Sequence, residues 1–222
     1  MSLVGDYQAA MNAPARKTSA ATAKDREATK RRLIEAVGRV LARQGFQAVG
    51  VNTVAREAGV DKVLIYRYFD GLPGLVAAFA REGGFWPDLD ELCGGDRQAF
   101  LALPFAKRMS LAVRNYLRAV RSRPLTREIL AWRFLERNEL TDALDTARAE
   151  AGAAILALAG EGVDRPDVDL PALHVLLGAA INHLAVRQDR EPIFAGLALD
   201  DPATWERVEA MLDRMVRAVL GE

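Results

Sequence analysis

An all-α fold is predicted by three features of the 222-residue sequence: apolar residues recurring at helical spacing along most of its length, the lack of any run alternating with period two, and Gly and Pro punctuation between the periodic segments. With half its residues hydrophobic and 27% charged, the composition is that of a globular chain, which excludes wholesale disorder and fibrous repeats. The length suits one domain or two small ones. Cys93 is the sole cysteine, so an intramolecular disulfide framework and a cysteine-rich zinc site are excluded, and a reducing compartment fits. The longest apolar run, Pro171 to Val186, is interrupted by His174, Asn182 and His183, and no signal-peptide pattern opens the chain. The expectation is a cytoplasmic protein without a membrane span.

In chain order, Met1 to Ala23 shows no sustained apolar period and reads as a flexible N-terminal arm, residues 1–24, carrying Arg16, Lys17 and Lys24. A helix begins at Asp25, with Leu33, Val37, Val40 and Leu41 on one stripe that Ile34 and Ala36 broaden. Gly45 ends it as a left-handed cap and Phe46 supplies the hydrophobic contact. Further helices are expected at 72–83, 97–120, 125–138, 141–159, 170–187 and 203–220. Residues 25–79 are read as one domain and 80–222 as a second, helical one.

Residues 50–69 form the one local constellation with a mechanism. Val51, Val54, Ala55 and Ala58 make a short apolar face, Gly59-Val60-Asp61 interrupts it, and Ile65 and Phe69 resume a stripe. Two short helices joined by a tight turn are a helix-turn-helix. Ala55 must be small for a close crossing, and Gly59 supplies the positive φ of the turn. Asp61 can accept from the first N–H groups of the second helix. Helices this short need a third wall, which the stripe of helix 25–44 provides.

On these residues, residues 31–79 resemble the N-terminal domain of the tetracycline-repressor (TetR) family of bacterial transcriptional regulators. The resemblance runs from Arg32-Leu33-Ile34-Glu35-Ala36 through Gly45-Phe46, Val54-Ala55-Arg56-Glu57-Ala58-Gly59-Val60 and Ile65-Tyr66-Arg67-Tyr68-Phe69 to Leu75. It implies a homodimer that reads a palindromic operator in double-stranded DNA with the second short helix, and a small-molecule effector that releases it. Lys62 and Arg67 become candidates for phosphate or base-edge contacts, Tyr66 and Tyr68 for phosphate hydrogen bonds, and Thr53 for a further phosphate contact. Val63 and Leu64 stand where the family usually has a small residue and a hydroxyl residue, and Leu64 can meet a thymine methyl instead. Leu72 replaces a common Lys, and Gly50 replaces a common Thr cap.

Charge agrees with a polyanion met at one end. Residues 1–80 hold 12 Lys+Arg against 7 Asp+Glu, and the remainder holds 18 against 23. In the second domain, Leu173, Leu176, Leu177, Ala180, Ile181 and Leu184 are read as one stripe. Trp205, Val208, Leu212, Met215 and Val219 are read as another, and the two helices 170–187 and 203–220 as a four-helix dimer interface. Phe100, Phe105, Trp132, Phe134 and His174 are the candidate effector-pocket residues. His174 and His183, nine apart on one helix, cannot share a metal ion, and no cofactor is expected. The sequence carries no Gly-rich phosphate loop, His-Glu-x-x-His or nucleophile elbow, so an enzyme is not expected. A helical regulator that acts through a protein partner after losing DNA specificity is the alternative.

Overall fold

Residues 15–135 and 137–221 are described by the structure, a computed structural model, with side chains described over 23–133 and 137–221. The described residues form eleven α-helices, one 3₁₀ turn and one two-stranded hairpin, as an all-α chain requires.

Helix α1 (Ala15–Gln44) begins well before Asp25, within the segment read as an arm. Residues 15–24 are rich in Ala, Lys and Arg, which favour helix but carry no apolar stripe, so periodicity does not register them. Arg16 and Lys17 lie outside the residues whose side chains are described. After Gly45 (φ 77°) and a 3₁₀ turn at Phe46–Ala48, α2 (Val51–Ala58) and α3 (Val63–Phe69) cross against α1. Gly59 sits at φ 63°, ψ 42°, with its N–H donating to the Arg56 carbonyl and that of Val60 to Ala55. Val54, Ala55, Ala58 and Ile65 are buried with Leu33, Val37 and Val40 of α1 in one core. Arg32 of α1 donates to the Ala58 carbonyl at 2.6 Å, and Arg39 pairs with Glu57 at 2.7 Å, so the frame of the turn is pinned from outside.

Asp70 (φ 58°) and Gly71 (φ 103°) then turn the chain by 63° into α4 (Leu72–Glu82). Asp is among the few side chains that tolerate the left-handed region. Leu75, Val76 and Phe79 of α4 complete the N-terminal core, which also takes Ile129 and Leu144 from the second half of the chain.

That half contains α5 (Leu89–Cys93), α6 (Arg97–Leu101), α7 (Phe105–Ser122), α8 (Pro124–Leu135), α9 (Glu139–Ala159), α10 (Leu170–Arg187) and α11 (Pro202–Leu220). The helix expected over 97–120 is two, because Pro104 disfavours helical backbone at Leu103 and starts α7 afresh. Helix α5 and the hairpin β1 (Ile193–Phe194) with β2 (Leu197–Ala198), turned by Ala195 and Gly196 at positive φ, were not expected from periodicity. A second core gathers Phe100, Leu117, Ile181, Leu199, Trp205 and Val216. Trp205 donates to the Leu199 carbonyl at 2.6 Å, and Arg118 grips Glu209 with two bonds, fixing α11 on α7.

The stripes read from the C-terminal helices need correction. Helix α10 is apolar around much of its circumference: Leu177, Ile181 and Ala185 are buried, whereas Ala172, Val175, Leu176, Ala179 and Ala180 are exposed along the opposite side. On α11, Trp205, Leu212, Val216 and Leu220 face inward, and Met211, Met215 and Val219 face outward. Each predicted stripe therefore mixed an inner and an outer face. By length and composition alone α10 has the mean hydropathy, 1.3, of a membrane-crossing helix, a level that a core helix of a soluble protein also reaches.

Candidate functional site

Helix α3 buries Ile65 completely, packs Leu64, Tyr68 and Phe69 partly against the core, and turns Val63, Tyr66 and Arg67 outward. Val63 and Tyr66 are 60% and 57% exposed, a large apolar area for a helix of seven residues. Lys62 and Arg67 beside them are exposed and have no ion-pair partner among the described residues. The Asp61 carboxylate accepts from the Val63 N–H at 2.8 Å and sets the start of the helix. Tyr68 is half-buried, with the Arg26 guanidinium 5.4 Å and the Arg67 guanidinium 5.9 Å from its ring centroid. Leu64 is half-buried and packs onto the core, so on α3 the apolar surface turned outward belongs to Val63 and Tyr66.

Helix α2 stands alongside with Thr53 half-buried in its first turn. Its cap, Gly50, contributes no side-chain hydrogen bond, so the first N–H groups of α2 are left for an outside acceptor. Leu72 is half-buried and belongs to the core rather than to a basic surface. Together α2 and α3 present a surface of unspent donors, two cations and two apolar side chains, suited to a polyanion that also offers methyl groups and ring edges.

A second concavity lies in the C-terminal half. A cavity of about 500 Å³ is walled by α7, α9 and α10, with Leu92 of α5, Arg133 of α8 and the segment before α5 at its edges. Leu92, Met109, Val113, Ile155, Leu156 and Leu177 give it apolar sides. Its polar groups gather around Arg148. Arg148 donates from Nε and Nη2 to Asp145 at 2.9 and 2.7 Å, and Arg133 reaches the other oxygen of the same carboxylate at 3.2 Å. The Tyr116 hydroxyl donates to Asn182 Oδ1 at 2.8 Å; burial pushes this phenol up, opposed by Arg148, Asn182 and Arg133. His174 lies over Gly152, where a Cβ would come 2.9 Å from Nε2. Burial, and then Arg148, hold this imidazole below its ordinary value, so it is neutral near pH 7.

Of the four predicted pocket residues whose side chains are described, the structure places His174 alone at this cavity. Phe100 is core, Phe105 packs partly against that core under Arg108, and Trp132 stacks on Phe46 at 6.2 Å between the two halves of the chain. Phe134 lies outside the residues whose side chains are described. Phe100, Phe105 and Trp132 went to the cores, and most of the cavity wall consists of small and aliphatic residues that carry no signal in a sequence. Trp86, between α4 and α5, is at the wall. His183, on the far side of α10 by spacing, is at the exposed rim and meets Phe194 edge-on. Cys93 is buried, and burial raises its thiol, which makes it a poor nucleophile. Among the described residues no cluster of three metal-ligating side chains occurs.

The family model for bacterial regulatory proteins of the tetR family matches residues 33–79, which span the second half of α1 to α4. No curated protein matches the sequence. Solved structures match over most of the chain. The fatty acid degradation regulator FadR from Bacillus halodurans aligns with a TM-score of 0.60 at 14% identity, covering 85% of this chain and 94% of its own. FadR from Bacillus subtilis, solved in complex with stearoyl-CoA, aligns with a TM-score of 0.57 at 12% identity, covering 86% and 98%. A TetR-family regulator from Rhodococcus sp. gives 0.57 at 19% identity, covering 86% and 98%. At these identities the structural matches speak for the fold.

Proposed function

We propose, from the match of residues 33–79 to the family model for bacterial regulatory proteins of the tetR family, that the chain is a ligand-responsive, sequence-specific DNA-binding transcriptional regulator, a homodimeric repressor released from a palindromic operator by a small molecule. The observation that carries this reading is α3, anchored by Ile65 and presenting Lys62, Val63, Tyr66 and Arg67 to solvent. In a major groove Lys62 and Arg67 would meet phosphates or base edges, Val63, rather than the core-packed Leu64, a thymine methyl, and Tyr66 and Tyr68 phosphate oxygens. Thr53 and the uncapped N-terminus of α2 would take the adjoining phosphate.

The outer faces of α10 and α11 support the dimer. Val175, Leu176, Met211, Met215 and Val219 are all exposed, and the same stripe on a second copy would bury them in a four-helix interface. Two copies are what a palindromic site demands, with half-sites about 34 Å apart or a multiple of it. The cavity supports the effector, as does the stearoyl-CoA bound to a protein of the same fold. Helix α9 connects the two sites: Arg148 and Ala151 line the cavity, and Leu140, Ala143, Leu144 and Ala147 pack onto the core that contains α4. A ligand that displaces α9 would carry α4, and α3 with it, out of register with the operator. We place the protein in the bacterial cytoplasm on the same grounds.

Selection of bound duplexes from a random library tests the reading. The expected product is a palindrome whose affinity falls with salt at about 0.9 logarithmic units per phosphate contact. Weak, salt-sensitive binding without an enriched motif would remove the DNA reader and favour a protein partner.

A further inference from the structure

Among the groups that the cavity leaves unspent, two donors stand out beside the neutral His174 ring. Arg148 uses Nε and Nη2 on Asp145, and its Nη1 has no acceptor among the described residues. Asn182 is buried, accepts from Tyr116 through Oδ1, and leaves its amide nitrogen without an acceptor there as well. No Asp or Glu lines the cavity, while Arg133 and Arg148 do, and the one carboxylate that serves both, Asp145, neutralises half of their charge. A single positive charge is left over in a cavity whose lining is otherwise uncharged and mostly hydrocarbon. Charge-assisted bonds from a part-buried guanidinium to a carboxylate are the strong ones, and Arg offers its donors in matching pairs.

We propose that the cavity takes an apolar monocarboxylic acid, its carboxylate on Arg148, Arg133 and Asn182 and its hydrocarbon body between α7, α9 and α10. The proposal rests on the reading of this cavity as the effector site and narrows that reading to one chemical class. A volume of about 500 Å³ fits a molecule of that kind whole. The nearby phenol and the neutral His174 are compatible with an acid bound as its anion, since neither adds negative charge.

Calorimetric titration of the full chain with decanoate, decanamide and decylammonium tests it. Decanoate is expected to bind about ten- to a hundredfold more tightly than the other two. Arg148→Gln should erase that preference while leaving decanamide binding in place, and Asp145→Asn, which releases both guanidinium groups, should sharpen it. Equal affinity for acid and amide, or preference for the ammonium, would overturn the assignment, as would an Asp145→Asn protein with weakened decanoate binding. The regulator reading fails separately, in the absence of a selected operator. An operator released by some uncharged compound would leave that reading intact and sink this one.

Discussion

At Gly74 a methyl group would come 1.7 Å from the Phe69 carbonyl oxygen, because the first turn of α4 is pressed against the end of α3. Backbone, not a flexible side chain, stands in the way, so Gly74→Ala should destabilise the protein by about 1–3 kcal/mol, measured by denaturant unfolding. Gly59→Ala meets a different obstacle, a left-handed backbone at φ 63°, and should cost about 1–2 kcal/mol in the same measurement. His174 gives a pH signature. Its folded form resists protonation, so as pH falls below the ordinary value of 6.5 the unfolded chain binds a proton that the folded ring refuses. Stability therefore drops on acidification through that window and is unaffected by this group above it. His174→Gln should flatten the melting temperature over that range, and an unchanged acid slope would show that His174 does not set it.

Among the elements, α3 carries the test of contact chemistry. Lys62→Ala should weaken operator binding by about 1–3 kcal/mol and relax one base position if Lys62 reads an edge. Equal loss on all duplexes, with the salt slope shallower by about one, would assign it to phosphate. The helices of the N-terminal unit were legible because each of them buries one face and follows turn chemistry with few solutions: Gly59 and Asp61 do what their positions implied, while Gly45 takes the positive φ of 77° with ψ 177°, not the left-handed cap expected. The hairpin was not legible, since strands of two residues cannot show alternation. The early start of α1 was missed for want of an apolar stripe in residues 15–24. Helix α10 misled for the opposite reason, because apolar residues on both sides leave period 3.6 unable to say which side is buried. The charged end of the cavity was invisible, as Arg133, Arg148 and Asp145 meet only once α8 and α9 have packed.

For the whole molecule, the outer stripes of α10 and α11 decide whether two reading heads act together. Leu176→Arg combined with Met215→Arg should shift sedimentation toward the 24.3 kDa chain and abolish tight operator binding, with the helical circular dichroism retained. A double variant that still sediments as a dimer would move the interface elsewhere. The three tryptophans have a practical consequence that follows from where folding has put them: Trp86 at the cavity wall, Trp132 stacked on Phe46 where the two halves join, and Trp205 in the second core. Each indole emits from a different environment, so replacing two at a time by Phe would give three optical channels: one for ligand arrival, one for movement between the halves, and one silent control. A single stopped-flow mixing experiment could then put ligand entry and domain motion in order of time.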